Sequence, residues 1–390
     1  MTATTSTRRP PPWRDARVLR GALQVVFLVG VVLLLRWLFG NLIGNLDRAG
    51  LSTDLSFLDQ PAGFQILGSD FRASQTVREA LLVGLANTIS VAAIGIVLAT
   101  ILGVAVGVAS LSTNWLVRKA ATLYVETLRN LPPLIVIVFT FSAVILRLPR
   151  IQEAADWFGL VIVSNRTIGI VAPAFEGPRA GTYQVVLLVA LVGAAAVWIW
   201  RTRRNVATGE PHHRVALSAA VVLVVGGVGW FALGGPLVLD RPQIVGVQVE
   251  DGWAMSANYA ALLLALVVYT ASYIAEIVRG SIQAVPKGQV EASDALALSG
   301  FQRLRFVVLP QAFRIAVPPM ANQYLNLTKN SSLALAIGFF ELTQTTLTVI
   351  GNGNPAPQSI GLMMLTYLAL SLTIAAVTNL VNRRLHLVSR

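Results

Sequence analysis

Five long windows of this sequence contain no charged residue, and they constrain the fold more than any other feature. They are Ala80–Val117, Ala180–Trp200, Val215–Leu239, Gly252–Ala275 and Leu342–Asn382. A helix crosses the hydrocarbon core of a bilayer with about 20 apolar residues. Only 12% of the residues are charged, whereas a soluble domain has about 25%. The sequence therefore predicts an all-α fold, a polytopic bundle of transmembrane helices.

Hydropathy and turn residues predict about eight membrane helices. Their expected ranges are 18–39, 84–110, 127–147, 181–200, 215–235, 257–279, 312–338 and 359–381. The seventh contains Pro318, Pro319 and Lys329, so we expect it to be kinked or broken. Residues 1–17 form a basic, Pro-rich tail, which we interpret as cytoplasmic. The stretch near 148–180 mixes charges, Pro and Gly, and is expected to form short interfacial or reentrant elements.

The distribution of basic residues predicts the orientation. If the N-terminus is cytoplasmic, 20 of the 30 Lys and Arg residues lie on the cytoplasmic side, together with five acidic residues. The opposite side carries the other ten bases and twelve acids. We therefore predict a multi-pass protein with both termini in the cytoplasm. The basic pI is then explained by membrane orientation, and no nucleic-acid partner is expected.

Several kinds of chemistry are excluded or disfavoured by residue content. The chain has no cysteine, which excludes disulfides and thiolate metal sites. Its three histidines, His212, His213 and His386, suggest no metal site. No phosphate-binding G-x-x-x-x-G-K-[ST] run is present. If ATP drives this protein, another chain must bind it.

The segment Lys287–Gln311 is polar although it lies between two apolar runs. Its apolar residues recur with helical spacing at Val290, Ala297, Phe301, Leu304 and Val308. This pattern favours a helix lying along the membrane surface. Periodicity alone leaves two interpretations open, a surface gripped by a partner or an amphipathic loop helix without one.

Residue identities favour the first interpretation. "EASDALALSGFQRLRFVVLP" resembles the EAA signature of the membrane subunits of ATP-binding-cassette (ABC) importers. Glu291, Ala292 and Ser293 match the Glu-Ala-Ala triplet, and Leu309-Pro310 match its ending. Ala297 occupies a position where the family has Gly, with Gly300 three residues later, so we expect a less sharp turn there. We name Lys287–Gln311 the coupling segment.

Three further stretches resemble the polar amino-acid branch of that family. They are "ETLRNLPPLIVIVF" from Glu126, "SYIAEIVRGSIQAVPKGQVEA" from Ser272 and "QYLNLTKNSSLALAIG" from Gln323. The resemblance implies a type I ABC importer permease core over residues 80–385, with an inserted helix pair near 181–235. Residues 18–79 would then form an extra N-terminal transmembrane helix and a periplasmic loop. This longer form is similar to one permease of the general L-amino-acid or glutamate/glutamine/aspartate importers.

The resemblance also implies the partners and the location. These are ABC ATPase subunits on the coupling segment, a second and different permease chain, a periplasmic amino-acid-binding protein and the bilayer of a bacterial inner membrane. The chain would not be an enzyme and would bind no cofactor itself, since ATP-Mg would be used by the partner ATPase.

Polar residues within the membrane are candidates for the substrate pathway or its gating. Ionisable groups there are costly and usually face a cavity or a partner. The candidates are Glu276, Asn326, Thr328, Lys329, Asn330 and Ser331. Glu276 could instead pair with Arg279 at a helix end, and Lys329 could have a structural role at a kink. Asn87, Thr88 and the Gly103-x-x-x-Gly107 spacing indicate helix packing.

The sequence thus predicts the permease subunit of an ATP-driven L-amino-acid importer. The alternative is a secondary transporter or channel driven by an ion gradient, and a third possibility is a membrane scaffold. The residues do not identify which amino acids are carried.

Overall fold

A computed structural model describes residues 16–48, 54–208, 213–246 and 248–385. Most of the predicted tail 1–17 and His212 and His386 lie outside these ranges. The described part contains twelve α-helices: α1 (Ala16–Arg48), α2 (Val77–Ala109), α3 (Trp115–Arg129), α4 (Pro133–Phe139), α5 (Ala180–Thr208), α6 (Arg214–Ala232), α7 (Ala257–Gln283), α8 (Lys287–Ala295), α9 (Gly300–Arg303), α10 (Leu309–Asn330), α11 (Leu342–Gly351) and α12 (Ala356–Leu385).

Eight short strands, which the sequence did not predict, lie between α4 and α7. They are β1 (Ala155–Trp157), β2 (Val161–Val163), β3 (Thr167–Ile170), β4 (Ala172–Phe175), β5 (Leu237–Asp240), β6 (Gln243–Val245), β7 (Gln248–Glu250) and β8 (Trp253–Ser256). One antiparallel sheet has the order β1-β2-β3-β8, while β4 pairs with β5 and β6 with β7. The stretch near 148–180 is therefore largely a small sheet.

The helical prediction is confirmed, with six helices long and apolar enough to cross a membrane in the described residues. They are α1, α2, α5, α6, α7 and α12. Two further pairs pass the same test but are bent, so that the count reaches eight if each pair is one span. The expected spans 127–147 and 312–338 correspond to these two pairs and are not simple helices.

The first bent pair turns by 106° between Arg129 and Pro133. Residues 115–129, of which 115–126 were expected as a loop, form the amphipathic helix α3, which Asn114 caps by accepting hydrogen bonds from two backbone N–H groups. The turn is at Pro132 and Pro133, where α4 begins. Prolines lack the N–H that would continue a helix, so the chain changes direction there.

Helix α7 forms the centre of the bundle and packs against α2 along its length. A Cβ added at Gly103 would lie 2.6 Å from Cβ of Ile274, and one added at Gly107 would lie 2.8 Å from the Ala275 carbonyl oxygen. These glycines therefore let the two helices approach closely, as the four-residue spacing predicted.

In sequence, the helix pair α5–α6 lies between β3 and β8, which pair in the four-stranded sheet. Strands β3 and β8 pair from Thr167–Ser256 to Ile170–Trp253. Strand β4, which precedes α5, pairs with β5, which follows α6. Because of these two antiparallel pairings, the chain returns at Trp253 to the position it left at Ile170. This closure lets the α5–α6 hairpin extend from the strands without interrupting the bundle around α7.

Candidate functional site

The coupling segment forms two short helices, α8 and α9, so the expected continuous helix is wrong. The chain breaks between Ala295 and Gly300. Ser299 starts α9 with a capping box, in which its hydroxyl accepts from the Gln302 backbone and the Gln302 side chain accepts from the Ser299 backbone. The capping box at Ser299 therefore starts a new helix, although the apolar spacing alone favoured one continuous helix.

Ala297 ends α8 in a left-handed conformation, with φ +54°. Its N–H donates to the Asp294 carbonyl at 2.9 Å, and the Leu298 N–H donates to the Ser293 carbonyl at 3.2 Å. These two bonds form a Schellman motif, in which glycine is the usual residue at the position of Ala297. The expectation of a less sharp turn is wrong, since the alanine adopts the glycine conformation.

Contacts within the coupling segment connect α8 to α9 and leave the motif residues at its start exposed. Ser293 is buried, and its hydroxyl donates to the Val290 carbonyl at 2.6 Å. Arg303 forms an ion pair with Asp294 at 2.7 Å and so connects α9 to α8. Glu291 and Ala292 remain exposed. These contacts hold the exposed motif residues in a fixed position.

The end of the coupling segment leads directly into the membrane. Gly300 is the exposed first residue of α9, and a π-helical turn, Leu304–Val308, joins α9 to α10. Leu309 and Pro310 begin α10 and are exposed. Val285, Val308 and Ala312 form a small buried cluster beneath them. All the predicted coupling residues therefore lie in one compact region between α7 and α10.

The second bent pair is interrupted at residues 331–341, which we name the helix break. Helix α10 runs through Pro318 and Pro319 without interruption and changes to a 3-10 helix at Ser331. Gly338 ends that segment with φ +68°. The break is therefore next to Lys329 and not at the prolines.

Side chains from two neighbouring helices satisfy backbone groups at the helix break. Asn258 of α7 donates to the Ile337 carbonyl at 2.7 Å, and Asn87 of α2 donates to the Phe340 carbonyl at 2.8 Å. The Leu342 N–H donates to the hydroxyl of Thr88, also on α2, at 3.1 Å. Exposed backbone groups are costly in a membrane, so these bonds hold the break. The packing role predicted for Asn87 and Thr88 is confirmed.

Glu341 is a buried acidic residue that the sequence analysis did not single out. Its carboxylate accepts from the backbone N–H of Thr343 and Gln344, at 2.9 and 2.8 Å, and thereby caps α11. The Tyr367 hydroxyl of α12 donates to it at 2.7 Å. The available signal was its position, since it is the acid immediately before the charge-free window that starts at Leu342.

The pathway candidates near the break fall into two groups. Thr328 and Ser331 are buried and donate to carbonyls of their own chain, at Tyr324 and Thr328. Lys329 and Asn326 are exposed, and Asn330 is half-buried. The exposed pair can therefore contact a second chain or a substrate, whereas the buried pair supports the backbone.

Glu276 lies apart from this group and between two arginines. Arg279 donates through Nε to its Oε2 at 3.1 Å, and Arg129 of α3 approaches the same oxygen at 3.7 Å. The guanidinium of Arg129 also lies 5.5 Å from the Tyr273 ring centroid. This is the ion pair considered as one alternative, extended to a second helix. Among the described residues, no cluster of three or more His, Asp or Glu could hold a metal ion.

Known proteins resemble this chain over most of its length. The family described as "Binding-protein-dependent transport system inner membrane component" matches residues 95–387. The putative amino-acid ABC transporter permease protein YhdX of Escherichia coli is 38% identical over 94% of each chain. The general L-amino acid transport system permease protein AapQ of Rhizobium johnstonii is 39% identical, over 94% of this chain and 92% of its own.

A third relative is the glutamate/glutamine/aspartate/asparagine transport system permease protein BztB of Rhodobacter capsulatus, which is 35% identical over 96% of each chain. Each of the three alignments covers at least 92% of both chains. The chain therefore belongs to the family of binding-protein-dependent transport system inner membrane components.

Proposed function

We propose that this chain is the permease subunit of an ABC importer that carries L-amino acids across a bacterial inner membrane. The observation that carries the proposal is the likeness to three amino-acid permeases over almost the whole chain. The fold adds an exposed surface at Glu291 and Ala292 on α8, which the Arg303–Asp294 ion pair connects to α9, and a helix break beside Lys329. The chain forms no covalent intermediate, and a separate ATPase hydrolyses ATP-Mg.

In this proposal both termini are cytoplasmic, and ATPase subunits bind the coupling segment. A periplasmic binding protein delivers the amino acid to the opposite side, where a second, different permease completes the pathway. Residues 80–385 form the transmembrane domain common to such permeases. The candidates for pathway contact or gating are Glu276, Asn326, Thr328, Lys329, Asn330 and Ser331.

The exposed Glu291 provides a test of the docking surface. Reversing its charge with Glu291→Lys should abolish association with the ATPase, because the variant places a cation where the partner meets an anion. The chain should still insert normally, since Glu291 makes none of the contacts that hold α8 to α9. The measurement is co-purification of the ATPase together with ATP-driven uptake in proteoliposomes. Glu250→Lys, an exposed charge reversal on β7, is the matched control and should co-purify with the ATPase as the wild type does.

The same assay separates the competing functions. An ion-gradient transporter would keep its uptake without the ATPase and lose it when an ionophore is added. If the protein is a scaffold, Lys329→Met should leave uptake unchanged. If Lys329 lies on the pathway, the same substitution should reduce uptake. A Glu291→Lys variant that co-purifies with its ATPase and transports at the normal rate would contradict the docking assignment.

A further inference from the structure

The α5–α6 hairpin presents apolar side chains around most of its surface. Its two helices contact each other through Tyr183, whose hydroxyl donates to the Gly226 carbonyl at 3.1 Å, and Ser218, which donates to the Ala194 carbonyl at 3.0 Å. Exposed apolar side chains project from both helices, among them Leu188, Val192, Ile199, Leu223, Val228 and Phe231. In a membrane protein such a surface is covered by lipid acyl chains.

One end of this hairpin combines arginines with tryptophans. The guanidinium of Arg214 lies 4.8 Å from the Trp198 ring centroid and donates to the Thr202 hydroxyl at 3.4 Å. The guanidinium groups of Arg201 and Arg204 lie 5.6 and 5.9 Å from the Trp200 ring centroid. Both indoles are partly exposed, Trp198 at 41% and Trp200 at 55%. We name this group, with the exposed Arg203, the arginine–tryptophan cluster.

The cluster has a strong positive charge. Residues 196–218 contain four arginines and one acid, Glu210, which gives this segment a net charge of +3. Glu210 lies outside the described residues. The charge stands at the level where the apolar surface of the hairpin ends, and phosphate groups of lipids occur at that level of a bilayer. Tryptophan is enriched at the same depth.

We propose that the arginine–tryptophan cluster binds the phosphate headgroup of an anionic phospholipid. The planar guanidinium matches phosphate through two parallel N–H donors, which an ammonium group cannot provide. The indoles hold the side chains of Arg201, Arg204 and Arg214 against the hairpin, so that these lose less freedom when lipid binds, while Arg203 stays exposed. Arg203 and Arg214 supply the contacts, and the net charge selects anionic over zwitterionic headgroups. The inserted hairpin is then a lipid-binding element of this permease.

The test uses the full chain, with the subunits that co-purify, in nanodiscs of equal phosphatidylglycerol and phosphatidylcholine. Each lipid in turn carries a photoactivatable diazirine, and adducts are mapped by mass spectrometry. Phosphatidylglycerol should label the 196–218 peptides preferentially. The double variant Arg203→Gln/Arg214→Gln should reduce that preference about thirty-fold, since each arginine near an anionic surface contributes about 1 kcal/mol.

Two controls make the result specific. Arg118→Gln/Lys119→Gln removes the same charge from the exposed face of α3 and should leave labelling of the hairpin unchanged. Arg203→Lys/Arg214→Lys keeps the positive charge but removes the paired N–H donors of guanidinium. This variant should retain only part of the preference for phosphatidylglycerol. Equal labelling by both lipids, an unchanged preference in the glutamine variant, displacement by free inorganic phosphate, or cross-links to protein in place of lipid would each overturn the proposal.

Discussion

Replacing Ala297 by glycine should stabilise the coupling segment, because Ala297 stands in a left-handed conformation at φ +54°. That conformation costs an L-residue other than glycine roughly 1–2 kcal/mol of free energy. Glycine loses about 0.4–1 kcal/mol more than alanine when the unfolded chain is ordered. With the middle values of both ranges, the net gain in stability from Ala297→Gly is about 0.5–1 kcal/mol.

Hydrogen exchange measures this gain locally. The amides of Ala297 and Leu298 donate the two bonds that close the motif, and they exchange only when it opens. A gain of about 0.5–1 kcal/mol slows their exchange about two- to five-fold. The measurement should be made on the full chain in nanodiscs, with amides of α7 as the internal reference.

Ala295→Gly is the matched control, since it changes the same residue type two positions earlier at the end of α8. There glycine costs about 1 kcal/mol as a poor helix former, so exchange at Ala297 and Leu298 should become faster. The two substitutions must therefore have opposite effects. Exchange in Ala297→Gly that equals or exceeds the wild-type rate would refute the assignment of strain to this position.

Two further predictions concern helix packing, and thermal unfolding in detergent measures both. Gly103→Ala should destabilise the fold by about 1–3 kcal/mol through overpacking against α7, whereas Gly30→Ala, with nothing within 4 Å of its added Cβ, should not. A neutral Gly103→Ala would contradict the close approach of the helices. Thr88→Val should cost about 1–3 kcal/mol because the buried Leu342 N–H loses its acceptor. Thr373→Val, which removes only a hydroxyl bonded within its own exposed helix, should cost much less; equal costs would count against the tertiary bond.

The sequence predicted those features that depend on the bilayer or on local spacing. Charge-free windows identified the long helices because a membrane tolerates few charges along a helix. The spacing of Gly103 and Gly107 predicted close packing because residues four apart lie on the same helix face. The identities Glu291, Ala292 and Ser293 predict a docking role for the coupling segment, and that role stays a prediction.

The sequence did not reveal the features that depend on distant residues. The prolines at 318 and 319 suggested a break, yet α10 continues through them, and the break follows Asn330. That break is held by Asn87, Thr88 and Asn258, which are far away in sequence and become relevant only after folding. Helix α3 is a different case, because its cap at Asn114 is a local signal that the sequence analysis did not use.

Helix α10 connects the two parts of the candidate site. It starts at Leu309, at the end of the coupling segment, and ends at Asn330, beside the helix break. Its 22 residues span about 33 Å at the rise of an α-helix. A continuous helix of this length transmits displacement at one end to the other, whereas a break at Pro318 would absorb it.

The two ends of α10 are held differently, which gives such a displacement a direction. At the far end, hydrogen bonds from α2, α7 and α12 fix the end of the break and the start of α11 to the bundle. At the near end, the coupling segment is anchored mainly by the small cluster around Val308 and presents an open surface. A partner that moves α8 and α9 therefore moves α10 relative to a fixed α11, and the strain falls on the 3-10 segment after Lys329. If a partner drives the protein through α8 and α9, as proposed, that segment is where we expect the pathway to open.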